Sequence, residues 1–284
     1  MSKKTKNFLI KTAVFFFWFV VPFIPALISY ISTHNNNNNS NVTSNDFTIS
    51  SYNVILDVNE NNKVNVTEQI TVDWKSTNNH GIIKFIPEWL QYTGKDKKII
   101  KRKSIVSNLK SEGDPYIVDH AKKKVWIQIG SKDKFVNYGE KTYNIKYTYD
   151  MGKDPYKGFD EFIFHAFGDY WNTEINNASI QVNMPKSIDD YNINFFSDKN
   201  RKENVTNYVD YRIDGNTLYA KFNQDKYTEA QRKEYCSNRY NVERGVCYFS
   251  ENSYYNKKLE KSLTVDIELP EGYFVGGSWN YGWG

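Results

Sequence analysis

Apolar and polar residues alternate strictly over two adjacent stretches. Tyr52, Val54, Leu56 and Val58 share one face of a strand, and Asn59-Glu60-Asn61-Asn62 makes a turn. The chain returns through Val64, Val66, Glu68, Ile70, Val72 and Trp74, with Asn65, Thr67, Gln69, Thr71 and Asp73 on the opposite face. That is a half-buried hairpin. The same period of two recurs at His80–Pro87, Val125–Ile129, Tyr143–Tyr149, Ile180–Met184, Tyr191–Phe195 and Leu263–Leu269. Tyr208–Ile213 and Thr217–Phe222 flank Asp214-Gly215-Asn216, a tight-hairpin signal. Shorter strands are expected near Ser104–Leu109 and Tyr116–Asp119, and an aromatic one within Phe159–Trp171. About ten to twelve short strands with turn signals predict an all-β fold, an antiparallel β-sandwich of one or two stacked units.

One stretch breaks the period. Thr12 to Ile31 carries no charged residue and no polar stripe. A helix of that length spans roughly 30 Å, the hydrocarbon thickness of a bilayer. Pro22 and Pro25 are tolerable in a membrane helix, where neighbouring groups satisfy the freed backbone. Lys3, Lys4, Lys6 and Lys11 precede it, with no acidic residue before Asp46. This asymmetry predicts a cytoplasmic N-terminus and an extracytoplasmic bulk in a single-pass arrangement. The apolar core exceeds the usual signal-peptide length and lacks a small-x-small cleavage site, which favours a retained anchor over a cleaved signal.

The expected organisation follows. Residues 1–11 are a basic cytoplasmic segment, 12–31 a transmembrane helix, 32–45 an Asn-rich tether, and 46–275 an extracytoplasmic β domain. Residues 224–257 open on helix-favouring TEAQRKEY and read as an insertion in that domain. It holds the two cysteines of the chain, Cys236 and Cys247, which an oxidising compartment would join as a disulfide. Residues 276–284 form a Gly/Trp-rich end.

Charge changes the picture of partners. The net +4 arises entirely before the anchor: set those four lysines aside and 37 basic residues fall to 33, against 33 acidic ones. A neutral outer domain has no field to gather phosphates, so nucleic acid is not an expected partner. The membrane is, through the N-terminal helix, and so is an envelope protein or a cell-wall polymer. With two Cys, four His and no HExxH, P-loop, GxGxxG or GxSxG pattern, neither a metal nor another cofactor is expected.

Candidate chemistry is sparse. Glu68 lies on the apolar face of its strand, and Lys84 shares a face with Ile82 and Ile86 on the next. Each would be costly to bury alone, which favours a structural ion pair over a catalytic Glu68 with a shifted pKa. Phe159–Trp171 gathers Glu161, His165 and Asp169, an acid/base set for a hydrolase acting on wall glycan or peptide. Strand alternation puts Asp160 opposite Glu161 and His165, and packing with a hydrogen-bonded His165 outweighs catalysis. Trp89, Tyr92 and Trp171 are the aromatic candidates for a binding surface, and Trp171 reads equally as core. The lysine-rich Gln91–Lys103 reads as a solvated loop.

Taken in order, Val66-Thr67-Glu68-Gln69-Ile70, Gly81-Ile82-Ile83-Lys84-Phe85-Ile86-Pro87, Ile127-Gln128-Ile129-Gly130, the Tyr143–Tyr149 strand, Gly168, Trp171, Ile175, Met184-Pro185 and Leu263 through Gly272 form a pattern. It resembles the N-terminal domain of an uncharacterised family of predicted bacterial membrane proteins, domain of unknown function 2207, over roughly Phe47 to Phe274. The resemblance implies an extracytoplasmic β domain fixed to the membrane, further transmembrane helices after it, and no established activity. This chain departs from it at Lys84, where arginine is usual, and in its Cys-containing insertion. At Gly276–Gly284, where a further membrane segment would be expected, it is either truncated or keeps the N-terminal anchor alone.

Overall fold

The alternating stretches form strands because each can bury one row of side chains while its backbone pairs on both sides. The computed structural model describes residues 46–276, apart from 95–96, 122, 168–170, 172, 174, 189–190, 198, 202 and 224–261. The anchor at 12–31, the tether, Asp169, Cys236, Cys247 and the end from 277 lie outside the described residues.

Fifteen strands run through the described residues. They are β1 (Phe47–Val58), β2 (Lys63–Trp74), β3 (Gly81–Pro87), β4 (Trp89–Thr93), β5 (Ile99–Lys103), β6 (Ile105–Glu112), β7 (Tyr116–Ala121) and β8 (Lys124–Gly130). After them come β9 (Gly139–Asp150), β10 (Phe159–His165), β11 (Ala178–Asn183), β12 (Ile193–Phe196), β13 (Val209–Asp214), β14 (Thr217–Phe222) and β15 (Thr264–Pro270). The all-β expectation holds, with more strands than the pattern predicted.

The largest sheet has seven strands in the order β13-β14-β11-β1-β2-β9-β6. All its neighbours are antiparallel except β1 and β11, which pair in parallel from Tyr52↔Ala178 to Asp57↔Asn183. That pairing joins residues more than a hundred positions apart, which no local pattern announces. The remaining sheets are β10-β15-β12, β3-β8-β7 and the hairpin β4-β5. The β4-β5 hairpin corrects the reading of Gln91–Lys103 as a plain loop. Leu90, Tyr92 and Arg102 point inward from it, while Gln91 and Lys101 face water and carry its polar signal.

The inner face of the seven-stranded sheet carries the core. Tyr52, Val54, Leu56, Ile70, Tyr143 and Ile145 are buried there, each contributing about 1.5–3 kcal/mol by leaving water. The smaller sheets cover this face. The Tyr52 ring meets Phe167 at 5.0 Å and Trp171 at 6.2 Å, and Tyr149 meets Phe164 of β10 at 5.5 Å. β10 is itself buried on both faces: Asp160, Glu161, Phe162, Ile163 and Phe164 are all inaccessible. Its Phe162-Ile163-Phe164 run, apolar on both faces, suits a strand with a layer on each side.

Candidate functional site

Two buried charge networks and one open concavity hold the chemistry of the described residues. The first network joins β2 to β3 across the interior. Lys84 Nζ lies 3.3 Å from Glu68 Oε2, and the two side chains are 5% and 1% exposed. Tyr147 Oη donates to Glu68 Oε1 at 2.7 Å, Tyr52 Oη donates to Oε2, and Lys84 Nζ donates to Tyr52 Oη at 2.6 Å. Each carboxylate oxygen therefore has at least one donor. Burial and the adjacent Glu68 charge push both tyrosines well above their ordinary pKa, so both stay phenols and keep donating. The space beside Lys84, Tyr147 and His165 measures about 10 Å³, room for one water and no substrate.

The second network lies on the other face of β10. Arg201 Nη2 sits 2.5 Å from Glu161 Oε1 and 2.6 Å from Asp266 Oδ2 on β15. Tyr92 Oη donates to Glu161 Oε2 at 2.9 Å, and the guanidinium lies over the Tyr92 ring at 4.8 Å. Burial opposes the Arg201 charge, but Asp266 and Glu161 outweigh it and raise its pKa. Tyr92 is thus no exposed contact group. It occupies the inward face of β4, where its hydroxyl serves Glu161. Trp171 is buried against Tyr52, and Trp89 is half-buried beneath the Lys123 ammonium at 5.7 Å.

His165 is half-buried, and its Nδ1 pairs with Thr264 Oγ1 at 2.9 Å across β10 and β15. Glu161 and His165 share a face four residues apart, roughly 13 Å along a strand. They do not converge, and the Glu161 carboxylate is fully enclosed. Among the described residues no three His, Cys, Asp or Glu side chains gather as a metal site.

Asp154 borders the second network and accepts the backbone N–H groups of Tyr156 (2.9 Å) and Glu161 (3.1 Å). Burial, only partly offset by those bonds and by Arg102, pushes its carboxyl up to about 6. A carboxyl raised from its unfolded value of about 3.8 makes the folded state the better proton binder between those values. Stability from this group therefore rises as pH falls from 7 through 6 toward 4. Unfolding midpoints at pH 7.5 and 5.0 should show wild type gaining on Asp154→Asn at the lower pH.

The concavity is the feature sequence reasoning missed. It encloses about 550 Å³ where the turn before β7, the end of β8 and the β8–β9 loop meet. Phe135 and Tyr138 stand on its rim, 63% and 71% exposed. Lys141 Nζ pairs with Asp114 Oδ1 at 2.6 Å on its wall, and Lys134 and Glu140 add one charge of each sign. His80 Nδ1 meets the carbonyls of Ser131 and Lys134, both at 3.0 Å, which places the proton on Nδ1. Its ring lies 4.3 Å from that of Phe135 and holds the loop.

The position of this wall depends on glycine. Gly81 and Gly130 are register partners with φ of 144° and 133°. A Cβ on either would lie 1.9 Å from a carbonyl oxygen of the facing strand, so no other residue lets the strands close there. The signal was present in the Gly81 and Gly130 motifs, but their meaning depends on a pairing the sequence does not state.

The molecule so defined is an all-β domain with internal charge networks and one loop-built concavity. The chain belongs to the family described as predicted membrane protein (DUF2207) N-terminal domain, whose profile matches residues 48–231. The match ends before β15, so Leu263–Gly272 falls outside it. Membership makes this a membrane-associated protein. No curated protein matches the chain. Solved structures similar to it include an M1 zinc metallopeptidase from Deinococcus radiodurans, at 11% identity and a TM-score of 0.31 over 63% of this chain and 39% of that one. Another is yeast LTA4 hydrolase, at 9% identity and a TM-score of 0.34 over 68% of this chain and 30% of that one. The chain spans less than half the length of these enzymes, and likeness at such scores carries neither fold nor activity to it. Among the described residues no helix is long and apolar enough to cross a membrane.

Proposed function

We propose that this protein is a non-enzymatic binding module of the cell envelope. The apolar segment 12–31 anchors it with the N-terminus in the cytoplasm, and its β-sandwich is displayed outside. The ligand docks in the concavity between Asp114, Phe135, Tyr138 and Lys141. The observation that carries this reading is the concavity itself: about 550 Å³, the size of a ligand site, with two aromatic rings standing in solvent at its mouth. Exposed aromatic rings clustered at a concavity are the kind of apolar patch that marks an interaction site.

The lining indicates the chemistry of the ligand. Charges of both signs beside aromatic rims suit a peptidic segment carrying its own charges, from a wall polymer or from the loop of a partner protein. The catalytic reading has less support, because Glu161 is enclosed and distant from His165.

The test is capture by the full chain in detergent micelles, offering purified peptidoglycan in one arm and envelope membrane extract in the other. Retention in either arm, reduced at least about tenfold by Phe135→Ala with Tyr138→Ala, is the expected result. Capture at background in both arms, or capture that ignores those substitutions, overturns the reading.

A further inference from the structure

The outward face of the seven-stranded sheet carries amides and hydroxyls at most positions of its central strands β11, β1, β2 and β9, with Lys146 and charges near the strand ends among them. These groups are joined in rows across the strands. Ser179 Oγ donates to Asn53 Oδ1 at 2.7 Å, Asn53 Nδ2 to Gln69 Oε1 at 3.5 Å, and Gln69 Nε2 to Asn144 Oδ1 at 3.4 Å. The row runs through four strands with every donor pointing the same way, about 14 Å at the spacing of paired strands. The sheet register puts these residues directly opposite one another: Asn53↔Ser179, Asn53↔Gln69 and Gln69↔Asn144. A second line runs from Thr217 Oγ1 to Asn183 Oδ1 (3.3 Å) and from Asn183 Nδ2 to the Asp57 carboxylate (2.5 Å), and beyond it Thr148 Oγ1 donates to Asn65 Oδ1 (3.2 Å).

We propose that this face is a second binding surface, separate from the concavity, for an uncharged polysaccharide strand bearing hydroxyl and acetamido groups. Three features select that occupant. The rows use one N–H and one lone pair of the Asn53 and Gln69 amides, and each amide has another of both to offer outward. Between the rows lie apolar contacts that suit a sugar ring: Ile55, 37% exposed, and the Tyr219 ring backed by Arg212 at 4.1 Å. The charges on the central strands are held in pairs: Lys146 of β9, between the rows, meets Glu112 of β6 at 2.9 Å, Lys63 meets Asp150 at 3.2 Å, and Asp73 meets Lys75, while Asp210, Arg212 and Asp214 of β13 lie at the sheet edge. A polyanion finds Lys146 and Lys63 already neutralised by Glu112 and Asp150, and a protein partner finds no apolar core.

The full chain in detergent micelles should cosediment with chitin. The triple substitution Asn53→Ala, Gln69→Ala, Asn144→Ala should weaken that binding at least about tenfold with an unchanged circular-dichroism spectrum. Phe135→Ala with Tyr138→Ala should leave it intact, so this surface and the concavity stand or fall separately. Absence of cosedimentation with chitin and cellulose, or equal binding by the triple variant, overturns the proposal. So does a face that mediates self-association, dispersed by the triple variant, without holding either polymer.

Discussion

Lys84→Met is expected to destabilise the domain by about 3–5 kcal/mol, the cost of leaving a buried charge without its counter-ion. Glu68 is 0% exposed and would keep only the two phenol donors, Tyr52 and Tyr147. Glu68→Gln should cost a similar amount from the other side, because the Lys84 ammonium would then lack its counter-charge in an apolar interior. The double variant removes both charges and should recover most of the loss. In a double-mutant cycle the two single effects then sum to far more than the double. Lys84→Arg should be tolerated best, since a guanidinium meets a carboxylate with two donors rather than one point charge. Urea unfolding of the full chain in detergent measures all four variants. Single variants within about 1 kcal/mol of wild type would remove the structural role. A Glu68→Gln protein of native stability that lost a function would instead reassign Glu68 to chemistry.

Much of this architecture can be read from local rules, and the remainder cannot for definite reasons. Strict alternation located β1, β2 and β9, because one buried face imposes a period of two whatever the partner strand. The same rule exposed Glu68 and Lys84 as polar residues on apolar faces, each implying a partner. It was silent on β10, where layers on both sides abolish the period, so Asp160 and Glu161 are both buried although they face opposite ways. It misled at Tyr92, because a lysine-rich hairpin hides an inward row of Leu90, Tyr92 and Arg102. The concavity was illegible for another reason. Its walls come from segments as distant as His80 and Lys141, and the Gly81↔Gly130 pairing together with the β2–β9 ladder brings them together. Arg201 lies in a loop without any period, so the partner that makes Glu161 tolerable left no trace in the pattern.

Arg201→Met should therefore be the most damaging single substitution among the described side chains, costing at least about 4–5 kcal/mol. One guanidinium nitrogen serves both Glu161 and Asp266, whose side chains are 0% and 2% exposed. Removing it leaves two carboxylates facing each other in the interior with no cation between them. The backbone already accommodates this contact. Arg201 holds φ at 59°, a left-handed conformation that costs an ordinary residue of order 1 kcal/mol and persists where its surroundings enforce it. Stacking adds a further loss, since the guanidinium plane covers Tyr92 at 4.8 Å and Phe196 at 5.7 Å. Arg201→Lys should retain part of the stability, because an ammonium supplies the charge without the planar contact with either ring. Adding Glu161→Gln and Asp266→Asn to Arg201→Met should recover most of what the single change loses, because the neutral amides no longer require a cation. Thermal unfolding of the full chain separates these cases. A melting point for Arg201→Met within a few degrees of wild type would show that the carboxylates are neutralised by something other than this arginine.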